Sequence, residues 1–167
     1  AGVPRKPGMT RDDLFAVNAG IIVGIAKEIA THCPNAMVLV ITNPVNSTVP
    51  IVAETLRVAG CFNPAKVVGV TTLDLMRSRA FIGEALGRDP RHVTVDVVGG
   101  HSGTTIVPIL SPLASLPPSV HDELTSKIQN AGTVVVQAKA GKGSATLSMA
   151  AAAAYFVGRV LSALAGE

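Results

Sequence analysis

Stretches with an apolar residue at every third or fourth position alternate along this chain with short, unbroken apolar runs. Leu14, Asn18, Ile21, Ile25 and Ile29 keep helical spacing up to Pro34, which cannot continue a helix. Ahead of them, Thr10-Arg11-Asp12-Asp13 pairs a threonine with an acidic residue three places on. Those two side chains can exchange hydrogen bonds with the open amides of a helix start. Residues 36–42 (AMVLVIT) form a short apolar run of the kind buried in parallel sheets. A second helix is predicted over 47–59 and a second buried strand over 67–70. Thr71-x-x-Asp74 repeats the capping pattern ahead of a helix running to about Leu86. Residues 93–98 are strand-like and end at Gly99-Gly100, and 104–110 predict another strand. Helices over 119–138 and 146–165, joined by Gly141-Lys142-Gly143-Ser144, close the chain. Short strands alternating with longer helices predict a parallel α/β arrangement up to about residue 70.

Composition narrows the class. The 167 residues suffice for one domain or parts of two, and 48% hydrophobic with 15% charged residues excludes a disordered chain. Aromatics make up only 3% and tryptophan is absent, so any core is built from Ala, Val, Ile and Leu. Mean hydropathy is +0.45, which points to heavy burial in an oligomer or to apolar faces whose partners lie outside this stretch. The uncharged runs at 101–120 and 144–158 are broken by prolines or too short to predict a membrane span. The start has no signal-peptide layout. Cys33 and Cys61 form no C-x-x-C, and the expectation is two reduced thiols in an intracellular setting. A net charge of +3 without a basic cluster argues against nucleic acid as partner.

The chemistry-bearing residues are few. Asp74 and Arg77 are three apart and share a helix face; by spacing alone they read as a cap and a surface ion pair. His101 follows a strand and stands among Gly99, Gly100 and Gly103, where a ligand could approach the backbone closely. His32, His92 and His121 carry no such context. Arg5 and Arg11 flank a loop broken by Pro4, Pro7 and Gly8, and read on their own as an exposed basic segment. Asn43-Pro44 is a turn after a buried strand, the place where ligands collect in open α/β sheets. Gly100-His101-Ser102-Gly103-Thr104 lacks the last glycine of a hydrolase elbow, and Gly141-Lys142-Gly143 lacks the rest of a phosphate-binding P-loop. No His, Cys and carboxylate spacing suggests a metal site.

In wording and order, three stretches resemble malate dehydrogenase of the mitochondrial and bacterial type. They are the opening run to Arg11, Thr71-Thr72-Leu73-Asp74-Leu75-Met76-Arg77-Ser78, and Gly99-Gly100-His101-Ser102-Gly103. The resemblance implies the second half of a Rossmann-type parallel sheet followed by the start of an α+β substrate domain. The expected division is 1–69, a partial dinucleotide-binding domain with a lid loop, and 70–167, a partial catalytic domain. It implies an NAD-dependent oxidoreductase interconverting malate and oxaloacetate, with His101 moving the proton and Asp74 orienting it. Arg77 would clamp one substrate carboxylate, Arg11 would polarise the carbonyl and Arg5 would meet the second carboxylate. Asn43 would contact substrate and nicotinamide ribose, and Asn18 and Met149 would line the cofactor. A homodimer is implied, in an organelle matrix or the bacterial cytoplasm.

The chain has no G-x-G-x-x-G and opens inside the family's lid loop, so the resemblance covers a central stretch of a complete member. The expectation is that these residues alone do not make a working enzyme. A lactate dehydrogenase is the nearest alternative, disfavoured by Arg5 because pyruvate has no second carboxylate. A non-catalytic fragment is the alternative from outside enzymology.

Overall fold

The computed structural model describes residues 2–4, 8–113, 116–140 and 142–167, with the side chain of Arg11 outside the description. It divides into two compact units, Ala1–Val70 with Ala140–Ser144, and Thr71–Lys139 with Ala145–Glu167.

The first unit is a β-α-β crossover with a long helix beside it. Helix α1 spans Arg11–His32 and starts as its capping pattern requires: Thr10 Oγ1 accepts the Asp13 amide at 3.1 Å, and Asp13 Oδ2 accepts the Thr10 amide at 2.9 Å. The buried stripe differs from the expected one. Leu14, Asn18, Ile22 and Ala26 point inward at steps of four, whereas Ile21 and Ile25 stand on the neighbouring face, each 37% exposed. Strand β1 (Val38–Val40) pairs in parallel with β2 (Val67–Gly69), and helix α2 (Val45–Val58) makes the crossover between them. Ile22 and Ala26 of α1, Val40 of β1, and Val52 and Leu56 of α2 form one core cluster. Each such aliphatic truncated to alanine costs about 2–5 kcal/mol when the cavity cannot collapse.

The second unit mixes helices with an antiparallel pair. Helix α3 spans Thr72–Leu86, β3 is Val97–Gly99 and β4 is Ile106–Pro108, with Val97 opposite Pro108 and Gly99 opposite Ile106. Only the end of the expected 93–98 strand is paired. Upstream, Val93 and Val95 are buried in the core with Ile82, Leu110 and Leu124, while Thr94 and Asp96 face out. The chain there is held by the burial of Val93 and Val95 and by the Asp96 carbonyl, which accepts the Ile109 amide at 2.8 Å. Helices α4 (Pro118–Ala138) and α5 (Leu147–Ala165) follow. Both α1 and α5 are long and apolar enough to cross a membrane by length and composition alone. Helix α5 runs past Arg159, where sequence placed a limit on the apolar run, and Ala152 is its only buried residue among those described.

Gly99 shapes the second unit at the point that matters most. Its φ is +84°, and a Cβ there would lie 2.2 Å from the Thr105 carbonyl oxygen. Glycine alone lets the chain leave β3, turn through His101 and return as β4, with the Gly100 amide donating to the Thr105 carbonyl at 2.8 Å.

Candidate active site

Asp74 lies in the first turn of α3, yet it caps nothing. The helix begins after Thr71 with no side-chain cap bond, so the second capping pattern in the sequence is not used as one. The carboxylate is instead turned inward and is 1% exposed. Its Oδ2 receives Nδ1 of His101, from 27 residues further on. Among the described residues its Oδ1 has no hydrogen-bond partner, and it stands 3.7 Å from Nη1 of Arg77. The surface ion pair expected from spacing is therefore a buried one, with the Arg77 side chain 15% exposed.

This arrangement has a specific electrostatic consequence. A buried carboxylate is costly unless paired and hydrogen-bonded, and Asp74 meets that cost with one hydrogen bond and one cation. Arg77 is held by charge at a distance beyond hydrogen bonding. Among the described residues no acceptor takes any of its guanidinium N–H groups, although planar bidentate pairing is what that group does best. Burial pushes the Arg77 guanidinium down from its ordinary value and the Asp74 charge pulls it back, which leaves it a cation. A partly desolvated arginine with unused donors, beside a histidine oriented by a carboxylate, can bind an anion and move a proton at neighbouring positions.

The first unit carries a second cluster. Asn18 is buried on α1, and its side-chain amide bonds the main chain of Val3 and the carbonyl of Asn43. The Asn43 side chain itself is exposed, in the turn between β1 and α2. Met149 is half-buried in the first turn of α5. Arg5 and the Arg11 side chain lie outside the described residues. Sequence reading missed Thr48, whose buried hydroxyl donates to the Thr42 carbonyl at 2.6 Å. A threonine in the first turn of a helix that follows a turn was the available signal. Among the described residues no group of His, Cys, Asp and Glu could hold a metal ion.

Comparison with known proteins gives a consistent picture. Residues 1–69 match the family profile described as lactate/malate dehydrogenase, NAD binding domain, and 71–167 match lactate/malate dehydrogenase, alpha/beta C-terminal domain. Malate dehydrogenase 2, peroxisomal, of Arabidopsis thaliana is 58% identical over all of this chain and 48% of its own length. Malate dehydrogenase of Idiomarina loihiensis is 57% identical over all of this chain and 54% of its own. Among solved structures, lactate dehydrogenase from Cryptosporidium parvum, complexed with lactic acid and nicotinamide adenine dinucleotide, superposes with a TM-score of 0.82 at 30% identity. That superposition covers 92% of this chain and 51% of the other. The chain spans about half the length of the curated relatives it matches.

Proposed function

Because this chain belongs to the lactate/malate dehydrogenase family, we propose that the whole protein interconverts malate and oxaloacetate with NAD, using His101, Asp74 and Arg77 for the substrate chemistry. One observation carries the reading: a buried Asp74 orients His101 while a partly desolvated Arg77 keeps its hydrogen-bond donors unspent. Arg77 takes the carboxylate next to the reacting carbon as a bidentate pair. Asp74 holds the proton on His101 Nδ1, and Nε2 gives a proton to the keto oxygen in reduction and removes it in oxidation. The imidazolium formed in malate oxidation is balanced by the Asp74 charge.

Bound NADH supplies the hydride that reduces the carbonyl carbon. The residues present suit the nicotinamide side of that cofactor. Asn43 is exposed in the turn beyond the carboxyl end of β1, where parallel α/β sheets bind ligands, and Met149 joins the cofactor residues on the strength of the family resemblance. Arg5 meets the second carboxylate of oxaloacetate and Arg11 polarises the keto oxygen, on the strength of the family resemblance. The relatives' compartments include the peroxisome, and a homodimer remains the expected assembly.

The test is turnover by the full-length protein. NADH oxidation with oxaloacetate, at least about a hundredfold more efficient than with pyruvate, is the expected outcome. Equal efficiency with pyruvate would move the assignment to a lactate dehydrogenase, and no turnover of either would remove it.

A further inference from the structure

His101 stands in a turn between two short strands, and its proposed use depends on where that turn sits against α3, which carries Asp74 and Arg77. Bonds inside the turn fix its shape. Thr105 donates its amide and its hydroxyl to the Ser102 carbonyl at 2.9 and 2.8 Å, and its Oγ1 accepts the Ser102 amide at 3.0 Å. None of these bonds ties the turn to the rest of the unit, and a two-stranded pair alone is only marginally stable. Helix α4 supplies a tie from outside. Gln129 Nε2 donates to the Ile106 carbonyl at 2.9 Å, from 23 residues further along the chain. Ile106 opens β4 and is 5% exposed, so water has little access to that carbonyl. Helix α4 is itself seated on α3. Leu124 shares a core cluster with Ile82, and Lys127 Nζ donates to Glu84 Oε2 at 2.7 Å. Three residues beyond Gln129, on the same helix face, a Cβ at Gly132 would lie 3.7 Å from Arg77 Nη1. One face of α4 therefore reaches the strand that closes the His101 turn and passes beside the Arg77 guanidinium.

We infer that Gln129 is a positioning residue: it sets the His101 turn at the height on α3 where the imidazole meets Asp74 beside the anion site at Arg77. The inference rests on the roles proposed above for His101 and Arg77. The path is short and continuous. Core packing and an ion pair fix α4 on α3, and one hydrogen bond carries that register to the first residue of β4. The aim of the histidine depends on it, because a misplacement of about 1 Å is enough to slow a reaction about a hundredfold. Sequence gives no sign of this, since Gln129 reads as an ordinary polar position of an amphipathic helix.

The test uses the full-length protein with Gln129→Met, which keeps the length of the side chain and removes its donor. Exchange of amide hydrogens over 99–106, read by mass spectrometry, should quicken about threefold or more, while α1 keeps its rate. In oxaloacetate reduction at saturating NADH, kcat should fall about tenfold with KM within about twofold, since proton transfer loses its aim while the Arg77 clamp stays in place. Gly132→Val crowds Arg77 instead and should give the opposite split, with KM raised at least about fivefold and kcat within about twofold. The same split in both variants would overturn the inference and make α4 a general support. A Gln129→Met enzyme that melts lower yet turns over at the parental rate would overturn it too, leaving Gln129 a structural residue. Gln129→Asn, one methylene short of the carbonyl, should repeat the Gln129→Met pattern and serves if that variant does not fold. If the parent leaves oxaloacetate untouched, the functional reading fails on its own. Exchange over 99–106 then decides the brace, and an unchanged rate in Gln129→Met overturns it.

Discussion

Asp74→Asn should remove most of the activity and part of the stability, with the chain still folded. The carboxylate sits 3.7 Å from Arg77 Nη1. At an effective dielectric near 20 that charge pair is worth about 332/(20 × 3.7), or about 4 kcal/mol of Coulombic attraction, before desolvation is subtracted. By the proposed mechanism, an attraction of similar order would favour the imidazolium formed on His101 as malate gives up its proton. Losing about 3–4 kcal/mol of it corresponds to a fall of about two to three decades in kcat for malate oxidation. Asparagine also offers His101 either its oxygen or its amide, and the amide selects the wrong tautomer. Stability should follow a different course. Among the described residues, Asp74 Oδ1 is buried with no hydrogen-bond partner, so a neutral side chain there is cheaper to desolvate. Against that gain stands an Arg77 cation left without its counter-charge, and a net loss of up to about 3–5 kcal/mol is expected. The assay is steady-state malate oxidation by the full-length protein alongside urea unfolding. A kcat within about threefold of the parent would refute the orienting role. Activity and folding lost together would make Asp74 a structural residue instead.

Three further perturbations extend these expectations, the first resting on the family resemblance alone. Arg5→Gln should cost about 2–5 kcal/mol of preference for oxaloacetate over pyruvate, the scale for unpairing a desolvated charge, and an unchanged ratio of kcat/KM would sink the assignment. Gly99→Ala would place a Cβ 2.2 Å from the Thr105 carbonyl at a φ of +84°, and should cost at least about 2 kcal/mol in urea unfolding together with loss of His101 function; a neutral effect would mean the turn readily remodels. The Glu84 carboxyl is held below its ordinary value by its hydrogen bond from Lys127, then by that residue's charge. Its contribution to stability is therefore present above the unfolded pKa and lost as pH falls through the lowered folded value. Glu84→Gln should be less stable than the parent at neutral pH, with the gap closing at acid pH; a gap that persists there would exclude the ion pair as its source.

The family motifs were legible because each occupies a short continuous stretch, and the side chains in it are fixed in order by the chain itself. The bland reading of Asp74 and Arg77 shows where that legibility stopped. Spacing alone places them on one helix face, and a surface pair is the commoner outcome for such a face. Burial by the rest of the second unit, with His101 arriving from 27 residues away, made the pair a buried one. The same limit explains Asn18: helical spacing identified an inward position, but not that its amide would meet the backbone of Val3 and Asn43.

By itself, the sequence determined the kind of each main element and most of the extent of the helices, while the strands are shorter than the apolar runs that predict them. Helical spacing, the Thr10–Asp13 cap and the apolar runs are local properties, set by backbone geometry within a few residues. Two identical local patterns nevertheless ended differently. Thr10-x-x-Asp13 became a capping box at an exposed helix start, whereas Thr71-x-x-Asp74 did not, because its carboxylate found a histidine inside the unit. Likewise α1 buried Ile22 and Ala26 in place of Ile21 and Ile25, since the packing of α2 selected which of two adjacent stripes faces inward. Only the tertiary structure could decide these outcomes, because each depends on which distant surface removes a side chain from water and what partner waits there.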